Sequence, residues 1–229
     1  MKYKNYDLKI SCDGGASTGK STGAKIISKK FKLQFLSSGL LYRYASFLIL
    51  RHKPRNKINF LRSKNKKQKY KKLEKINLQT PEISNYSSII AKQRDLREVL
   101  KKYQINFSKK NRNCCIEGRD ISTKILPRSD VKFFFISKIN IAANRRYKDL
   151  KKRGIKIKLA EVKKALKLRN ISDKKRKHSP LKKHKNAVVV NTGKLSKKAM
   201  IKQMSNEVKK VLKSKYGYWT RNQNPKYST

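Results

Sequence analysis

Ten consecutive residues concentrate the chemistry of this chain: Asp13-Gly14-Gly15-Ala16-Ser17-Thr18-Gly19-Lys20-Ser21-Thr22. Gly14, Gly19, Lys20 and Ser21 occupy the fixed positions of the phosphate-loop pattern G-x-x-x-x-G-K-[ST]. The glycines let the backbone curl so that successive N–H groups converge on one anion, and a helix opening behind them adds its partial positive charge. Lys20 brings a mobile full charge for the outer phosphates of a nucleotide. Either Ser21 or Thr22 can turn a hydroxyl towards a Mg²⁺ ion. Residues Gly14, Gly15, Ala16, Ser17, Thr18, Gly19, Lys20, Ser21 and Thr22 are therefore candidates for cradling a triphosphate.

Arginines and acids recur at the ends of later elements: Arg43, Arg97, Gly118-Arg119-Asp120, Arg169, Asp173 and Arg176. Arginine suits phosphate because its planar fork binds oxygens in pairs and keeps its proton. These residues also have plainer roles. Arg43 could pair with an acid on the sheet surface. Asp120 could pair with Arg119 or Arg97, or order the water shell of a metal. Arg169, Asp173 and Arg176 stand at i, i+4 and i+7, the spacing of an exposed ion-pair ladder on a helix. Arg145 and Arg146 read as surface or support residues, and His52, His178 and His184 have no metal-ligand company.

The elements that must position these groups follow from periodicity. Leu8, Ile10 and Cys12 alternate with polar residues and predict a strand running into the glycine loop, with a helix over 21–30 behind it. Residues 31–36 alternate and predict a second strand, followed by a helix over 40–50 with Arg43 in its first turn. Residues 51–80 read as a small, partly ordered insertion, with a weak helical signal at 70–75. Helices are expected over 81–92, opened by Pro81, and over 95–107. Residues 114–116 and 131–136 predict buried strands, the second central and parallel. Helices are predicted over 141–152 and from 160 to about 169, then a polar segment over 170–185, a strand over 187–191 and a closing helix over 195–212. The remainder, 214–229, reads as a flexible tail. Strands alternating with helices imply a parallel sheet covered on both faces.

The chain has 229 residues, enough for one core. Lys and Arg number 63 and Asp and Glu 13, a formal net charge of +50. That charge attracts polyanions, but the lysines are spread along most of the chain rather than gathered in a stripe, so no specific nucleic-acid site is expected. No secretory or membrane segment is visible, since the most apolar stretch, 40–50, is short and carries Arg43. Cys12, Cys114 and Cys115 lack metal-ligand spacing and read as buried thiols of a soluble cytoplasmic protein.

In these residues the chain resembles the bacterial cytidylate kinases. The family's phosphate loop, roughly D-G-P-S-G-A-G-K-G-T, is matched by 13–22, and its D-S-G-x-x-Y-R by 37–43. Its E-x-x-N-x-x-S is matched by Glu82, Asn85 and Ser88, with Arg97 at a later arginine position. Its G-R-D is 118–120, with a following proline at Pro127, and its lid pattern R-D-x-x-D-x-x-R-x-x-x-P-L is matched by Arg169, Asp173, Arg176, Pro180 and Leu181. Departures are Gly15 for Pro, Ser21 for Gly, Ser37 for an acid, Asn170 for the first lid Asp and Asn191 for an acid after the last strand.

The resemblance implies an α/β P-loop NTPase fold over a single domain, 1–229. Within it, about 51–107 would form a short monophosphate-binding insertion with its helices, and about 153–181 a lid. It implies transfer of the γ-phosphoryl of ATP to CMP or dCMP with Mg²⁺, by a monomer. Lys20, Arg169 and Arg176 would be catalytic. Ser38, Arg43, Ser88, Arg97, Arg119, Asp120, Asp173 and Arg176 would bind the acceptor, with Ser88, Arg97 and Asp120 around its base. Two alternatives stay open: a P-loop kinase with another acceptor, such as UMP or a small metabolite, and a basic nucleic-acid-binding P-loop protein.

Overall fold

In the computed structural model, which describes residues 6–66, 73 and 76–217, five parallel strands form one sheet with helices on both faces. The strands are β1 (Lys9–Gly14), β2 (Gln34–Ser37), β3 (Cys114–Gly118), β4 (Val131–Ile136) and β5 (Val188–Asn191), in the spatial order β2-β3-β1-β4-β5. Central β1 pairs with β3 on one side and β4 on the other. The expected central strand at 131–136 is thus an interior neighbour of the true centre. The chain leaves β1 towards one edge and crosses to the other side after β3. Such a reversal opens a crevice beyond the strands' C-terminal ends, where ligands collect in sheets of this kind.

The helices are α1 (Lys20–Lys30), α2 (Ser38–His52), α3 (Lys57–Lys66), α4 (Pro81–Ile90), α5 (Arg94–Lys110), α6 (Ile139–Lys152), α7 (Leu159–Lys175) and α8 (Lys197–Tyr216), with a single π turn at Ile121–Ile125. One sheet face sends Ile10, Cys12, Phe133 and Phe135 into a cluster with Ala24 and Ile27 of α1 and Met200, Met204 and Val208 of α8. The other sends Leu36 and Ile116 against Leu41 and the π turn. A separate cluster joins α2, α3, α4 and α5 through Tyr42, Ile49, Leu61, Ile90 and Leu100. A fourth joins α6 and α7 to the glycine loop through Ala16, Ala142, Leu150, Val162 and Leu166.

Several boundaries differ from the periodicity. Residues 31–33 are not strand: the Phe31 N–H closes α1 onto the Ile27 carbonyl, Lys32 takes a positive φ of 51°, and pairing with β3 begins at Gln34. Part of the expected insertion is an ordered helix, α3, started by the Asn56 side chain accepting from Ile58 and Asn59 N–H and anchored by fully buried Leu61. The helical signal at 70–75 lies outside the described residues except for Leu73, which is buried. Helix α7 continues through the polar residues expected to end it, because Asn170 and Asp173 find partners on other elements. Helix α8 likewise reaches Tyr216, whose hydroxyl and whose neighbour Lys215 bond Asp7 and Asp130; residues 218–229 of the expected tail lie outside the described residues. All three cysteines are buried free thiols, as expected.

Candidate active site

The loop between β1 and α1 curls back on itself. The Thr18 hydroxyl donates to the Gly15 carbonyl at 3.0 Å, and the ammonium of Lys20 donates to the same oxygen at 3.2 Å. Gly19, at φ 79°, starts α1 in the left-handed region that favours glycine. Gly14 is needed for space: a Cβ there would lie 2.5 Å from the Phe135 carbonyl oxygen. Ser21 and Thr22 begin α1 with exposed side chains that line the cleft. Asp13 is fully buried and turns towards the residues after β3. Its carboxylate accepts from the Ile121 and Ser122 N–H groups at 2.8 and 2.7 Å and from the Ser122 hydroxyl, bracing the π turn. Burial pushes its pKa up to about 6 against those hydrogen bonds.

Lys20 is 7% exposed, and its Nζ lies 3.8 Å from the Glu117 carboxylate at the end of β3. Burial first, and then the positive charges of Arg119 and Arg169, lower its pKa to about 7. Glu117 is itself buried, which opposes its charge. Lys20 and the Ser37 hydroxyl that donates to it nevertheless hold its carboxyl below the usual range. Ser37 also accepts from Leu40 N–H at 3.2 Å, so one side chain caps α2 and orients the acid.

A cleft of about 510 Å³ runs from this lysine to α4 and the end of α7. Its lining holds nine Lys and Arg residues against four Asp and Glu, a surplus suited to bound polyanions. Arg119 donates from Nε to Asp173 at 2.7 Å. Arg176 lies 3.5 Å from Asp173 and 3.7 Å from Asp120, and its Nε donates to the Ser179 carbonyl. Arg97 meets Asp120 at 2.5 Å, bonds the Ala91 carbonyl at 3.1 Å and stacks over the Tyr42 ring at 5.5 Å. Burial opposes the charges of Asp173 and Arg97. Arg119 and Arg169 nonetheless hold the Asp173 carboxyl low, while Tyr42 and Asp120 hold Arg97 protonated above its ordinary value. Arg169 makes no hydrogen bond or ion pair to a described residue, and burial with Arg119 nearby drops its pKa to about 10.

Ser38, Arg43 and Ser88 line the same cleft, and the Ser88 hydroxyl donates back to the Ser84 carbonyl at 3.2 Å. The structure thus brings all the sequence-predicted residues to one cavity or its phosphate-loop wall. It removes the ladder reading of Arg169, Asp173 and Arg176: Arg176 has left the helix with ψ 139° and its side chain is 5% exposed. It also decides the partners: Asp120 takes Arg97 and Arg176, while Arg119 takes Asp173.

Two residues escaped the sequence reading and a third was under-read. Glu117 faces Lys20, and the signal was an acid inside a buried strand, which demands a cation. Asp149 joins Arg146 and Arg153 at the cleft edge. Arg145 is more than surface: it bonds the hydroxyl and carbonyl of Thr192 beside the loop. With Arg146 and Asp149 it lines a second hollow, of about 230 Å³, that runs along Ser17–Thr22. Nothing in the local pattern marked Arg145, because its partner Thr192 lies 47 residues on, just past the end of β5.

A Mg²⁺ ion fits the donor set in one way. Among the described residues no group of three or more His, Cys, Asp or Glu could hold a metal. The exposed hydroxyls of Ser21 and Thr22, beside a cleft rich in Lys and Arg, suit an ion that keeps most of its waters and takes its other ligands from a nucleotide. No helix among the described residues is long and apolar enough to cross a membrane.

Comparison with known proteins agrees with this geometry. The sequence profile described as cytidylate kinase matches residues 10–210. A cytidylate kinase of Rickettsia rickettsii (strain Sheila Smith) is 34% identical over 214 residues, covering 91% of this chain and 97% of the relative. A cytidylate kinase of Clostridium botulinum (strain Okra / Type B1) is 33% identical over 216 residues, covering 89% and 99%. Among solved structures, an uncharacterized protein from Eubacterium ventriosum superposes with a TM-score of 0.51 at 11% identity, covering 91% of this chain and 99% of that one, which is a likeness of fold alone.

Proposed function

This chain belongs to the cytidylate kinase family and is a nucleoside monophosphate kinase for CMP or dCMP; from that premise we propose that ATP is its phosphoryl donor and that the cleft residues divide the work as follows. The observation that carries the reading is the placing of Lys20 and the Arg119–Asp173–Arg176–Asp120–Arg97 chain along one cavity. An oxygen of the acceptor's phosphate attacks the γ-phosphorus of ATP, the bond to the β-phosphate oxygen breaks, and ADP leaves. Such transfer needs two polyanions held in line, their repulsion cancelled and water excluded.

The loop N–H groups from Gly14 to Thr22 (apart from that of Ala16, which the Asn170 Oδ1 takes) and Lys20 hold the donor's phosphates. Lys20 gives up its contact with the Gly15 carbonyl to do so. A polyanion in the cleft restores the proton that burial disfavours on Lys20. Ser21 or Thr22 would hold Mg²⁺, which when bound screens charge between the β- and γ-phosphates. Arg43, Arg119 and Arg176 bind the acceptor's phosphate, and Ser38 stands beside them. Arg169 has no hydrogen bond or ion pair to a described residue to release, so it can turn to the transferring phosphoryl at little cost, while Asp173 meets the acceptor's sugar.

The base is chosen by Ser88, Arg97 and Asp120. Cytosine offers a donor at N4 and acceptors at N3 and O2. The Asp120 carboxylate can only accept, Arg97 can only donate and Ser88 can do either. Residues about 153–181 act as the lid that excludes water, and about 51–107 close over the monophosphate. The enzyme works as a monomer in the cytoplasm, a compartment that suits three free thiols. A coupled ADP-release assay across CMP, dCMP, UMP and other monophosphates tests the reading. Turnover with CMP or dCMP well above the rest supports it; equal use of UMP removes the base assignment.

A further inference from the structure

The glycine loop is held from two sides, and the two attachments differ in kind. On the sheet side, the Thr192 hydroxyl donates to the Thr18 carbonyl at 2.9 Å, and Arg145 fixes Thr192 by bonds of 2.9 and 2.7 Å to its hydroxyl and carbonyl. Thr192 follows β5 directly, so this attachment belongs to the rigid core. On the other side, the partner comes from α7. The Asn170 Oδ1 accepts from the Ala16 N–H at 3.0 Å, across 154 residues of sequence.

We propose that Asn170 is a positioning residue that latches α7 onto the phosphate loop, and so sets Arg169 and Asp173 over the cleft in step with the donor's phosphates. Three observations carry this. First, Asn170 sits between those two residues on one helix, where each residue turns the axis by about 100°. A bond from its side chain to the loop therefore fixes the rotation of α7, and with it the direction of Arg169. Second, Arg169 has no hydrogen bond or ion pair of its own to a described residue, so its orientation depends on the helix that carries it. Third, Gly15 makes room for the latch. A Cβ at position 15 would lie 3.1 Å from the Asn170 Oδ1 and 3.5 Å from its Cγ, so a side chain there would press on the amide.

The amide also suits the place chemically. It accepts a backbone N–H without setting a negative charge against a loop that must receive phosphates. A carboxylate at 170, which the family pattern has there, could accept the same bond but would set a negative charge nearer the nucleotide's phosphates. This inference rests on the kinase reading above, so its test includes a readout that does not need turnover.

The variants are Asn170→Ala, Asn170→Asp, Gly15→Ala and the Gly15→Ala/Asn170→Ala double, in the full chain. Amide hydrogen exchange at Ala16 should speed up roughly fivefold in Asn170→Ala, as expected for loss of one hydrogen bond, and stay slow in Asn170→Asp. With ATP and CMP, Asn170→Ala should lower kcat/KM for CMP roughly fivefold and raise ATP hydrolysis without acceptor, relative to transfer. Asn170→Asp should recover the kcat for CMP but raise KM for ATP. Gly15→Ala should cost activity in the parent and little more in Asn170→Ala, because both changes break one contact. Unchanged Ala16 exchange in Asn170→Ala, or strictly additive losses in the double variant, would overturn the latch. A wild-type protein without CMP or dCMP kinase activity would instead overturn the kinase reading, with the exchange result still standing.

Discussion

The Arg97–Asp120 pair can be a reader of the base, a structural strut, or both, and one pair of variants separates the roles. Both side chains are about 7 and 6% exposed, and their closest atoms are 2.5 Å apart. Arg97→Met leaves Asp120 with Arg176 at 3.7 Å as its remaining ion-pair partner. Stranding one member of a buried pair costs roughly 3–5 kcal/mol. The pair borders the open cleft, where water can reach the carboxylate, so we expect about 3 kcal/mol, the low end of that range. Removing both charges is different. In Arg97→Met/Asp120→Leu no stranded carboxylate remains, and Arg176 keeps Asp173 at 3.5 Å and the Ser179 carbonyl at 2.6 Å. Replacement of a buried pair by apolar groups is often neutral, so stability should return to within about 1 kcal/mol of the parent.

Base choice should not return. In the parent, uracil would set O4 against the Asp120 carboxylate and N3–H against Arg97, two mismatches of about 1–3 kcal/mol each. The ratio of kcat/KM for CMP over UMP should therefore be about a hundredfold or more. Asp120→Asn should lose more on CMP than on UMP, and the double variant should bring the ratio close to one. The assays are urea unfolding for stability and coupled ADP release for the two substrates. A double variant that is stable and still prefers CMP a hundredfold would refute the reasoning and reduce the pair to a strut.

Other outcomes follow from the same geometry. Lys20→Met should lower turnover by about three or more powers of ten with the fold intact, because the lost charge acts most on the transition state; near-parental turnover in a steady-state assay would contradict this. Arg169→Ala should leave the unfolding midpoint unchanged, since no ion pair or hydrogen bond to a described residue is broken, while kcat falls at least tenfold; Asp173→Ala, which strips Arg119 and Arg176 of an acid, should lower both the midpoint and kcat/KM for CMP. Gly14→Ala should destabilise the protein by roughly 1–3 kcal/mol in urea unfolding, because the new Cβ meets backbone rather than a movable side chain. Binding to duplex DNA or RNA, read by fluorescence anisotropy, should be sequence-blind and fall by orders of magnitude between about 50 and 200 mM salt; a tight complex with one RNA at physiological salt would contradict it.

What the sequence made legible was local. The strand, glycine loop and helix around 9–30 appear in one stretch because turn chemistry and hydrophobic period act over a few residues. What stayed hidden depends on sheet register. Nothing near Asp120 says that its partner is 23 residues back rather than its neighbour Arg119, or that Arg119 reaches 54 residues on to Asp173. The same holds for α7. Its last two turns look like loop because Asn170 and Asp173 are poor helix formers, and their partners on the glycine loop and after β3 offset that preference. Gly15 and Asn170 each read as an isolated departure from the family pattern, yet the fold sets them against each other.

In a chain with 63 basic residues and 13 acids, the basic residues carry little positional information, because a lysine or arginine is found almost anywhere. The acids carry it. Asp7, Asp130 and Asp149 each tie down a cation at the surface: Arg112, Lys215, and the pair Arg146 and Arg153. Asp13, Glu117 and Asp120 are buried, and Asp173 nearly so; the last three line the main cleft, and Asp13 lies behind the glycine loop. A carboxylate is buried only where a donor or cation repays its desolvation. Each of these four therefore marks a place where the fold is held for a purpose: the π turn, Lys20, Arg97 with Arg176, and Arg119 with Arg176. Among the described residues Arg169 has no acid hydrogen-bonded or ion-paired to it, which suits it to a charge that would arrive with a substrate.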